Sequence, residues 1–174
     1  MAQKKKNEWR GVIIGGVIVA ATVAVLLFVM LALPALRAKR ALSEVTDHME
    51  AFSASDVLIL QDPYVEGQGV IPKEAQAMLQ GDAAQEWITP LLSLLEDASF
   101  GGLEKSITGS WDPHLTVRSG TEQHRLYLQS DAVYVETDTG RYVFELPEES
   151  MESYKAYGKA LEEFLMEHLT ESSY

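Results

Sequence analysis

The chain of 174 residues contains no cysteine. It therefore cannot form a disulfide framework, use a thiolate as a nucleophile or hold a metal ion through cysteine. Basic residues are also few, because 14 lysines and arginines stand against 26 aspartates and glutamates, for a net charge of -12. Binding to nucleic acid requires clustered cations, so we expect no nucleic-acid partner.

The few basic residues are concentrated at the start of the chain. Residues 1–40 carry seven of them against one glutamate, a net charge of +6, whereas residues 41–174 carry seven against 25 acidic residues, a net charge of -18. Charge therefore divides the chain into a basic N-terminal part and an acidic remainder. The acidic part would be repelled by an anionic lipid surface.

An uncharged run of 23 residues extends from Gly11 to Leu33. A helix of this length rises about 34 Å at about 1.5 Å per residue, enough to cross the hydrocarbon core of a bilayer, which is about 30 Å thick. The apolar region of a signal peptide is shorter, about 7–15 residues, and ends in a small-residue cleavage site. Here the run ends in LALPALRAKR, with Pro34 at its exit. We therefore predict a retained membrane anchor over residues 11–33, in contact with the lipid bilayer.

The short N-terminal tail is the more basic flank of this run. Four cations precede the run and three follow it: Lys4, Lys5, Lys6 and Arg10, then Arg37, Lys39 and Arg40. By the positive-inside rule, residues 1–10 form a cytoplasmic basic tail. We therefore expect a single-pass protein of the cell membrane whose C-terminal domain lies outside the cytoplasm.

Small residues recur along the predicted membrane helix and could bring two helices together. They are Gly11, Gly15, Gly16, Ala20 and Ala24. Rows of this kind let helix backbones approach closely. A heptad-like seam follows in the predicted amphipathic stalk, residues 34–52, at Ala38, Leu42, Val45, Met49 and Phe52. Together these features predict a homodimer through the membrane helix and the stalk. The alternative is that glycine is simply common in membrane helices and that the stalk packs against its own domain.

The order of features at the start of the chain is a basic tail, a glycine, a long apolar helix, Pro34 and an amphipathic continuation. This order resembles the N-terminal helix of type IV pilins, in which a peptidase cuts after a glycine and a glutamate at the fifth position guides filament assembly. Cleavage after Gly11 would make Val12 the first residue and Gly16 the fifth, so the phenylalanine and glutamate usual in that family are missing. The resemblance implies a structural subunit of a membrane or filament assembly.

From Ser53 onward the chain has the size and pattern of one α+β domain, residues 53–174, large enough to bury its own core. Val57–Leu60 is a short apolar run that predicts a buried strand, and Val70-Ile71 a brief second one. Pro72 suits the first position of a helix, so we expect a helix over KEAQAMLQ.

A second helix is predicted over DAAQEWITPLLSLLEDA, capped by Asp82 with Gln85 at the capping-box spacing. Pro90 removes a backbone donor, so we expect a kink there or a new start capped by Thr89. The following SFGGLEKSITGSW is glycine-rich and reads as a loop. The core face of the helix is predicted to hold Trp87, Ile88, Leu91, Leu92, Leu95 and Ala98.

Four stretches with alternating apolar and polar residues then follow: HLTVR, QHRLYLQ, AVYVET and RYVFEL. Short polar turns separate them, which predicts a four-stranded antiparallel meander. The inward face is predicted to hold Leu115, Val117, Leu126, Leu128, Val133, Val135, Phe144 and Leu146. An amphipathic helix over EESMESYKAYGKALEEFLMEHL completes the α+β domain, with helices covering one face of the sheet. One side of this helix is predicted to hold Tyr154, Tyr157, Leu161, Phe164, Leu165 and Leu169.

The domain contains little that indicates catalysis. None of the four histidines, His48, His114, His124 and His168, has a metal-ligand spacing, and the common nucleophile and nucleotide-binding motifs are missing. His114 and His124 fall on adjacent predicted strands, but no third ligand is apparent. We therefore expect a protein that is not an enzyme and has no catalytic residues, no cofactor and no metal site.

The outward face of the predicted meander combines arginine and tyrosine. The candidate partner-binding residues are Arg118, Arg125, Tyr127, Tyr134 and Arg141, together with Trp111 in the preceding loop. Arginine and tyrosine are common in recognition surfaces, although cross-strand pairs of the two also stabilise solvated sheets. The sequence thus favours a membrane-anchored module that binds an unknown protein or envelope partner, with the filament subunit as the alternative.

Overall fold

A computed structural model describes residues 16–62, 74–103, 113–129, 131–137 and 140–170 of the chain. The chain divides into two units, Met1–Arg37 and Ala38–Tyr174. Gly11, Gly15, Val70, Ile71 and Trp111, which carry predictions above, lie outside the described residues.

The described part of the first unit belongs to one helix, α1 (Gly16–Glu50), which is long and apolar enough to cross a membrane. A π-helical turn at Phe28–Ala32 widens the helix for one turn before the α-helical segment Leu33–Glu50. Large apolar side chains from Val17 to Leu31 are exposed along the helix.

The second half of α1 forms part of the domain core. Its buried side chains are Ala38, Ala41, Val45 and Met49. Leu42 and Phe52 pack against the same core, so every residue of the predicted heptad-like seam contacts the domain. The seam therefore packs against the core of its own domain. This is the arrangement given above as the alternative to a homodimer through the stalk.

The domain consists of one antiparallel sheet and helices on one of its faces. The strands are β1 (Val57–Asp62), β2 (Glu74–Leu79), β3 (Ser99–Leu103), β4 (His114–Ser119), β5 (Glu122–Leu128), β6 (Ala132–Thr137), β7 (Gly140–Glu145) and the two-residue β8 (Leu169–Thr170). Their order in the sheet is β3-β7-β6-β5-β4-β1-β2-β8. The helices are the end of α1, then α2 (Gly81–Leu95) and α3 (Met151–Met166), the last preceded by a 3-10 turn at Glu148–Ser150.

The α+β class is confirmed, but the prediction of a four-stranded sheet is wrong. The described residues form a sheet of seven strands with five or more residues each, extended by the short β8. The four alternating stretches are β4 to β7, and β1 continues the sheet beside β4 while β3 continues it beside β7. The sheet is wider because the predicted strand β1 joins it and because two further segments, predicted as a helix and a loop, are the strands β2 and β3.

Within the segment KEAQAMLQ, for which a helix was predicted, Glu74–Leu79 forms strand β2. Ala75 and Ala77 are buried, whereas the next residue, Met78, is exposed. Burial therefore alternates along the segment, as it does in a strand whose one face is covered. Its backbone pairs with β1 from Leu58↔Leu79 to Asp62↔Ala75. The backbone bonds to β1 and the burial of two alanines outweigh the helix preference of the segment, because intrinsic propensity is readily overridden by tertiary contacts.

The loop predicted over SFGGL is edge strand β3, which pairs with β7 and has a register shift between Phe100 and Gly102. A side chain at Gly101 would collide with Glu145, because an added Cβ would lie 2.8 Å from that residue's side chain. Gly101, one of the glycines that suggested a loop, therefore permits the close approach of Glu145 on β7.

Helix α2 begins one residue before the predicted cap. Asp82 lies in the first turn, and the N-cap residue Gln80 makes no side-chain capping bond. The helix also continues through Pro90 to Leu95 without a new start. Its buried side chains Ile88 and Leu91 lie on either side of Pro90 and hold both halves against the core.

The predicted faces of the sheet and helices are otherwise confirmed. All eight inward residues named for the meander are buried. The predicted core positions of α2 are buried or pack against the core cluster. The same holds for those of α3 from Tyr154 to Leu165. The helices therefore cover the inner face of the sheet and leave the arginine and tyrosine residues on the other face.

Candidate functional site

Three of the predicted partner-binding residues meet around one carboxylate on the outer face of the sheet. The Tyr127 hydroxyl donates to Glu136 Oε2 at 2.6 Å, and Arg141 Nη2 donates to the same oxygen at 3.1 Å. Arg125 Nη1 donates to the Tyr127 hydroxyl at 3.2 Å. The guanidinium carbon of Arg141 lies 4.2 Å from the centre of the Tyr127 ring. We call these four residues the Glu136 cluster.

The register of the sheet explains this cluster. Arg125 lies opposite Glu136 on β5 and β6, and Glu136 lies opposite Arg141 on β6 and β7. Residues two apart on a strand share a face, so Tyr127 joins Arg125 beside the same carboxylate. Glu136 was not among the predicted residues, although its alternation with Tyr134 in AVYVET places it on the outward face.

Electrostatics in the Glu136 cluster keep the carboxylate charged. Burial pushes the pKa of Glu136 upward, but hydrogen bonds from Tyr127 and Arg141 and the nearby Arg125 charge hold it below its ordinary value. Burial raises the pKa of Tyr127, and the hydrogen bond to Glu136 adds to the rise. Tyr127 therefore remains a neutral donor. Only 8% of the Arg141 side chain is exposed, so its charge depends on Glu136 for compensation.

The remaining predicted residues lie apart from this carboxylate. Tyr134 faces Tyr127 across β5 and β6 and is half-buried. Arg118 is exposed near the end of β4 and donates to Gln123 at 3.3 Å. On α1, Gly16, Ala20 and Ala24 are exposed at helical spacing.

A second group of polar side chains lies at the opposite face, where the end of α1 meets the turn between β4 and β5. His48 Nε2 lies 2.6 Å from Glu122 Oε2. His124 Nε2 lies 3.0 Å from His48 Nδ1, which also lies 2.8 Å from the Glu44 carbonyl oxygen. These residues line a cleft of about 570 Å³ with Thr121, Gln123 and Thr137. We call it the histidine cleft.

The periodicities of strand β5 and helix α1 position these side chains. Glu122 and His124 are two residues apart on β5, so both project from the inner face, and His124 lies opposite Val117. His48 follows the buried Val45 by three residues and precedes the buried Met49, so it lies at the border of the helix's core face. The cleft therefore forms at the edge of the part of the inner face that the helices cover.

The sequence did not identify this group. His114 and His124, considered as a pair, lie on adjacent strands but on opposite faces, because His114 is opposite Tyr127 and His124 opposite Val117. The histidine that does meet His124 is His48, 76 residues away. The spacing of residues along the sequence does not indicate a contact between residues so far apart. Within the described ranges, His48, Glu122 and His124 form a group whose donor atoms lie within 4.8 Å of one another.

Comparisons with protein families, with curated proteins and with solved structures find no match for this chain.

Proposed function

We propose that the chain is a single-pass membrane protein with a cytoplasmic N-terminus, whose acidic α+β domain lies outside the cytoplasm and acts as a non-enzymatic binding module. The observation that carries the proposal is the row of exposed apolar side chains on α1, from Val17 to Leu31. An uncovered surface of this kind is unfavourable in water, and a bilayer covers it. Farther along the same helix, Ala38 begins the set of buried core residues.

The outer face of the sheet supports a binding role for the domain. Arg118 is exposed, and Arg125 and Tyr134 are partly so. Arginine offers forked donors and tyrosine offers a large rigid contact area, and both are enriched where proteins recognise one another. The Glu136 cluster holds Arg125 in a fixed position, which reduces the entropy lost when a partner binds. The partner proposed is a protein or an envelope component with acceptor groups for these arginines.

Cysteine labelling tests the orientation, because the natural chain has no cysteine to interfere. Lys159→Cys places a thiol on an exposed position of α3, and Gln3→Cys places one in the N-terminal tail. A membrane-impermeant maleimide added to intact cells, with spheroplasts as needed for access, is expected to label K159C but not Q3C until the membrane is permeabilised. The reverse pattern would move the domain to the cytoplasm and overturn the proposed orientation.

Site-specific photo-crosslinking tests the binding face. A photoreactive amino acid at Arg118 is expected to give a discrete adduct in cells, whereas the same residue at the exposed Glu163 on α3 is not. Adducts of equal yield at both positions, or none at Arg118, would contradict binding through the outer face.

An intact-mass measurement separates the proposal from the filament alternative. A membrane-anchored binding module keeps its N-terminal tail. A mature chain that begins at Val12 would instead support the pilin-like subunit.

A further inference from the structure

We propose that His48, Glu122 and His124 form a binding site for a divalent transition-metal ion of the zinc class. This inference goes beyond the proposed function, because it depends neither on the orientation of the domain nor on a protein partner. It rests on four features of the histidine cleft: the spacing of the donor atoms, the bond that orients His48, the short contact between His48 and Glu122, and the space beside them.

The donor atoms are close enough for one ion to bind all three. One ligand atom from each residue lies within 4.8 Å of the other two. Tetrahedral Zn²⁺ with bonds of about 2.0–2.1 Å separates its ligands by about 3.3–3.4 Å. His124 Nε2 lies 3.0 Å from Nδ1 of His48, so coordination through His48 Nε2 requires a shift of one of the two rings. The side chains of His48 and Glu122 are 31% and 65% exposed, which leaves both of them room to rotate. Small side-chain rotations therefore bring the three donors to bonding distance.

The backbone of α1 orients His48 for coordination through Nε2. Its Nδ1 lies 2.8 Å from the carbonyl oxygen of Glu44, one helical turn earlier. Donation of the Nδ1 hydrogen to that carbonyl leaves the Nε2 lone pair facing Glu122. A histidine that binds a metal commonly donates its other ring hydrogen to a carbonyl or a carboxylate in this way, which fixes the tautomer.

The shortest contact in the cleft requires a hydrogen or a metal ion between its two atoms. His48 Nε2 and Glu122 Oε2 are 2.6 Å apart, and with the Nδ1 hydrogen directed to Glu44 both of these atoms are acceptors. Two lone pairs at that distance repel unless a hydrogen or a metal ion lies between them. The acidic charge of residues 41–174, a net -18, adds a favourable long-range field for a cation.

The donor set favours zinc and its neighbours over calcium or magnesium. Two imidazole nitrogens and one carboxylate suit Zn²⁺, Ni²⁺ and Cu²⁺, whereas Ca²⁺ and Mg²⁺ prefer oxygen ligands throughout. Three protein ligands leave a fourth tetrahedral position for water or a small anion. The cleft of about 570 Å³ has space for that ligand.

A bound ion would join the end of α1 to β5. His48 and His124 are 76 residues apart in the chain, so a shared metal would link two distant segments of the folded domain. A ligand that binds only the folded state stabilises it, and we therefore expect Zn²⁺ to raise the melting temperature of the domain.

Zinc titration of the full chain tests the site. The chain is purified in detergent with an affinity tag that contains no histidine, stripped with a chelator, and titrated with Zn²⁺ in a calorimeter. We expect one Zn²⁺ per chain, with no competition from excess Ca²⁺ or Mg²⁺. We also expect visible absorption bands typical of four or five ligands when Co²⁺ replaces Zn²⁺.

Variants assign the site to these residues. His48→Gln and His124→Gln are each expected to weaken Zn²⁺ binding at least about tenfold, since changes to groups that only orient a ligand already cost about 10–100-fold. His168→Gln is the matched control. Its Nδ1 also lies 2.8 Å from the carbonyl oxygen one turn earlier, that of Phe164, but it is not in the histidine cleft. It should bind Zn²⁺ as the natural chain does.

Two results would overturn the proposal. The first is a stripped chain that takes up no Zn²⁺ in the micromolar to millimolar range. The second is Zn²⁺ binding that is unchanged in His48→Gln and His124→Gln. If circular dichroism shows that a histidine variant is misfolded, Glu122→Gln replaces it, because the exposed Glu122 side chain contributes little to folding. Unchanged binding in that variant would also contradict the site.

Discussion

Glu136 is the residue on which the charges of the outer face depend. It accepts hydrogen bonds from Tyr127 and Arg141, and its carboxylate lies 4.0 Å from Arg125 Nη1. Arg141 is the most buried of these cations, and a buried cation without a counter-charge is costly. The cluster therefore contributes to stability while it fixes the arginines that we propose for binding.

Glu136→Gln is expected to lower the free energy of unfolding by about 1–3 kcal/mol, because Arg141 and Tyr127 lose a charged acceptor. The loss stays below that of a fully buried pair, since 36% of the Glu136 side chain is exposed. Urea denaturation of the full chain in detergent, followed by circular dichroism, measures the change. The control is Glu163→Gln, which removes an exposed ion pair with Lys159 and should cost less than about 0.5 kcal/mol. Equal losses would contradict the role of Glu136.

Asp56 makes stability depend on pH in the acid range. Hydrogen bonds from the Ser53 backbone, first, and then from the Ser53 and Ser119 side chains lower the pKa of Asp56. The unfolded carboxyl therefore binds protons more readily than the folded one. Its contribution to stability is complete above the unfolded pKa of about 3.9, and it is lost as pH falls through the lower folded pKa.

Asp56→Asn is thus expected to lower the free energy of unfolding at pH 7. The difference from the natural chain should shrink as the pH falls toward 3. Unfolding free energies of the natural chain and the variant, measured by urea denaturation across this range, give the difference at each pH. A difference that stays constant down to pH 3 would show that the carboxylate is not responsible.

Among the elements, β2 departs most from the expectation based on its sequence. EAQAML contains good helix formers, yet it pairs with β1 over five residues. The same six residues also suit a strand, because Ala75 and Ala77 are buried beneath the helices while Met78 is exposed. Strand pairing and burial in the core decide between the two states.

Neighbouring residues of β2 should therefore tolerate the same substitution differently. Ala77→Leu adds volume to a filled core and is expected to lower the free energy of unfolding by about 1–3 kcal/mol. Gln76→Leu, on the outer face, should change stability by less than about 0.5 kcal/mol. Thermal unfolding of both variants gives the comparison. Similar costs at the two positions would contradict the alternation observed in β2.

At the scale of the whole molecule, the proposed membrane location depends on the apolar half of α1, which is long and apolar enough to cross a membrane. Val23 and Leu27 are exposed and lie in the middle of the uncharged run. Arginine near the centre of a membrane helix costs about 2.5–3.5 kcal/mol per residue, but near a helix end its side chain reaches the interface. Charge should therefore be tolerated at the end of the run and not at its centre.

The double variant Val23→Arg/Leu27→Arg is expected to lose most of its membrane integration, measured as the fraction that resists alkaline carbonate extraction. The matched control is Leu33→Arg/Leu36→Arg, at the last residue of the run and three residues beyond it, which should remain in the membrane fraction. If both variants stay integrated to the same extent, the run from Gly11 to Leu33 does not form the span.

Local periodicity in the sequence determined the features that depend on one element and its surroundings. The uncharged run predicts a helix that can cross a membrane, since length and apolar composition suffice for that. Alternation predicted the inward residues from Leu115 to Leu146, because successive side chains of a strand point to opposite faces. Helical spacing likewise predicted the core faces of α2 and α3.

The tertiary structure alone decided the features that depend on pairing between distant segments. β2 and β3 are strands because β1 and β7 offer them backbone partners, and the stalk seam is covered because the sheet provides a surface for it. The histidine cleft follows the same rule, since His48 meets His124 only after the end of α1 packs on the inner face. Such contacts arise from the folded arrangement of the chain, and no spacing along the sequence encodes them.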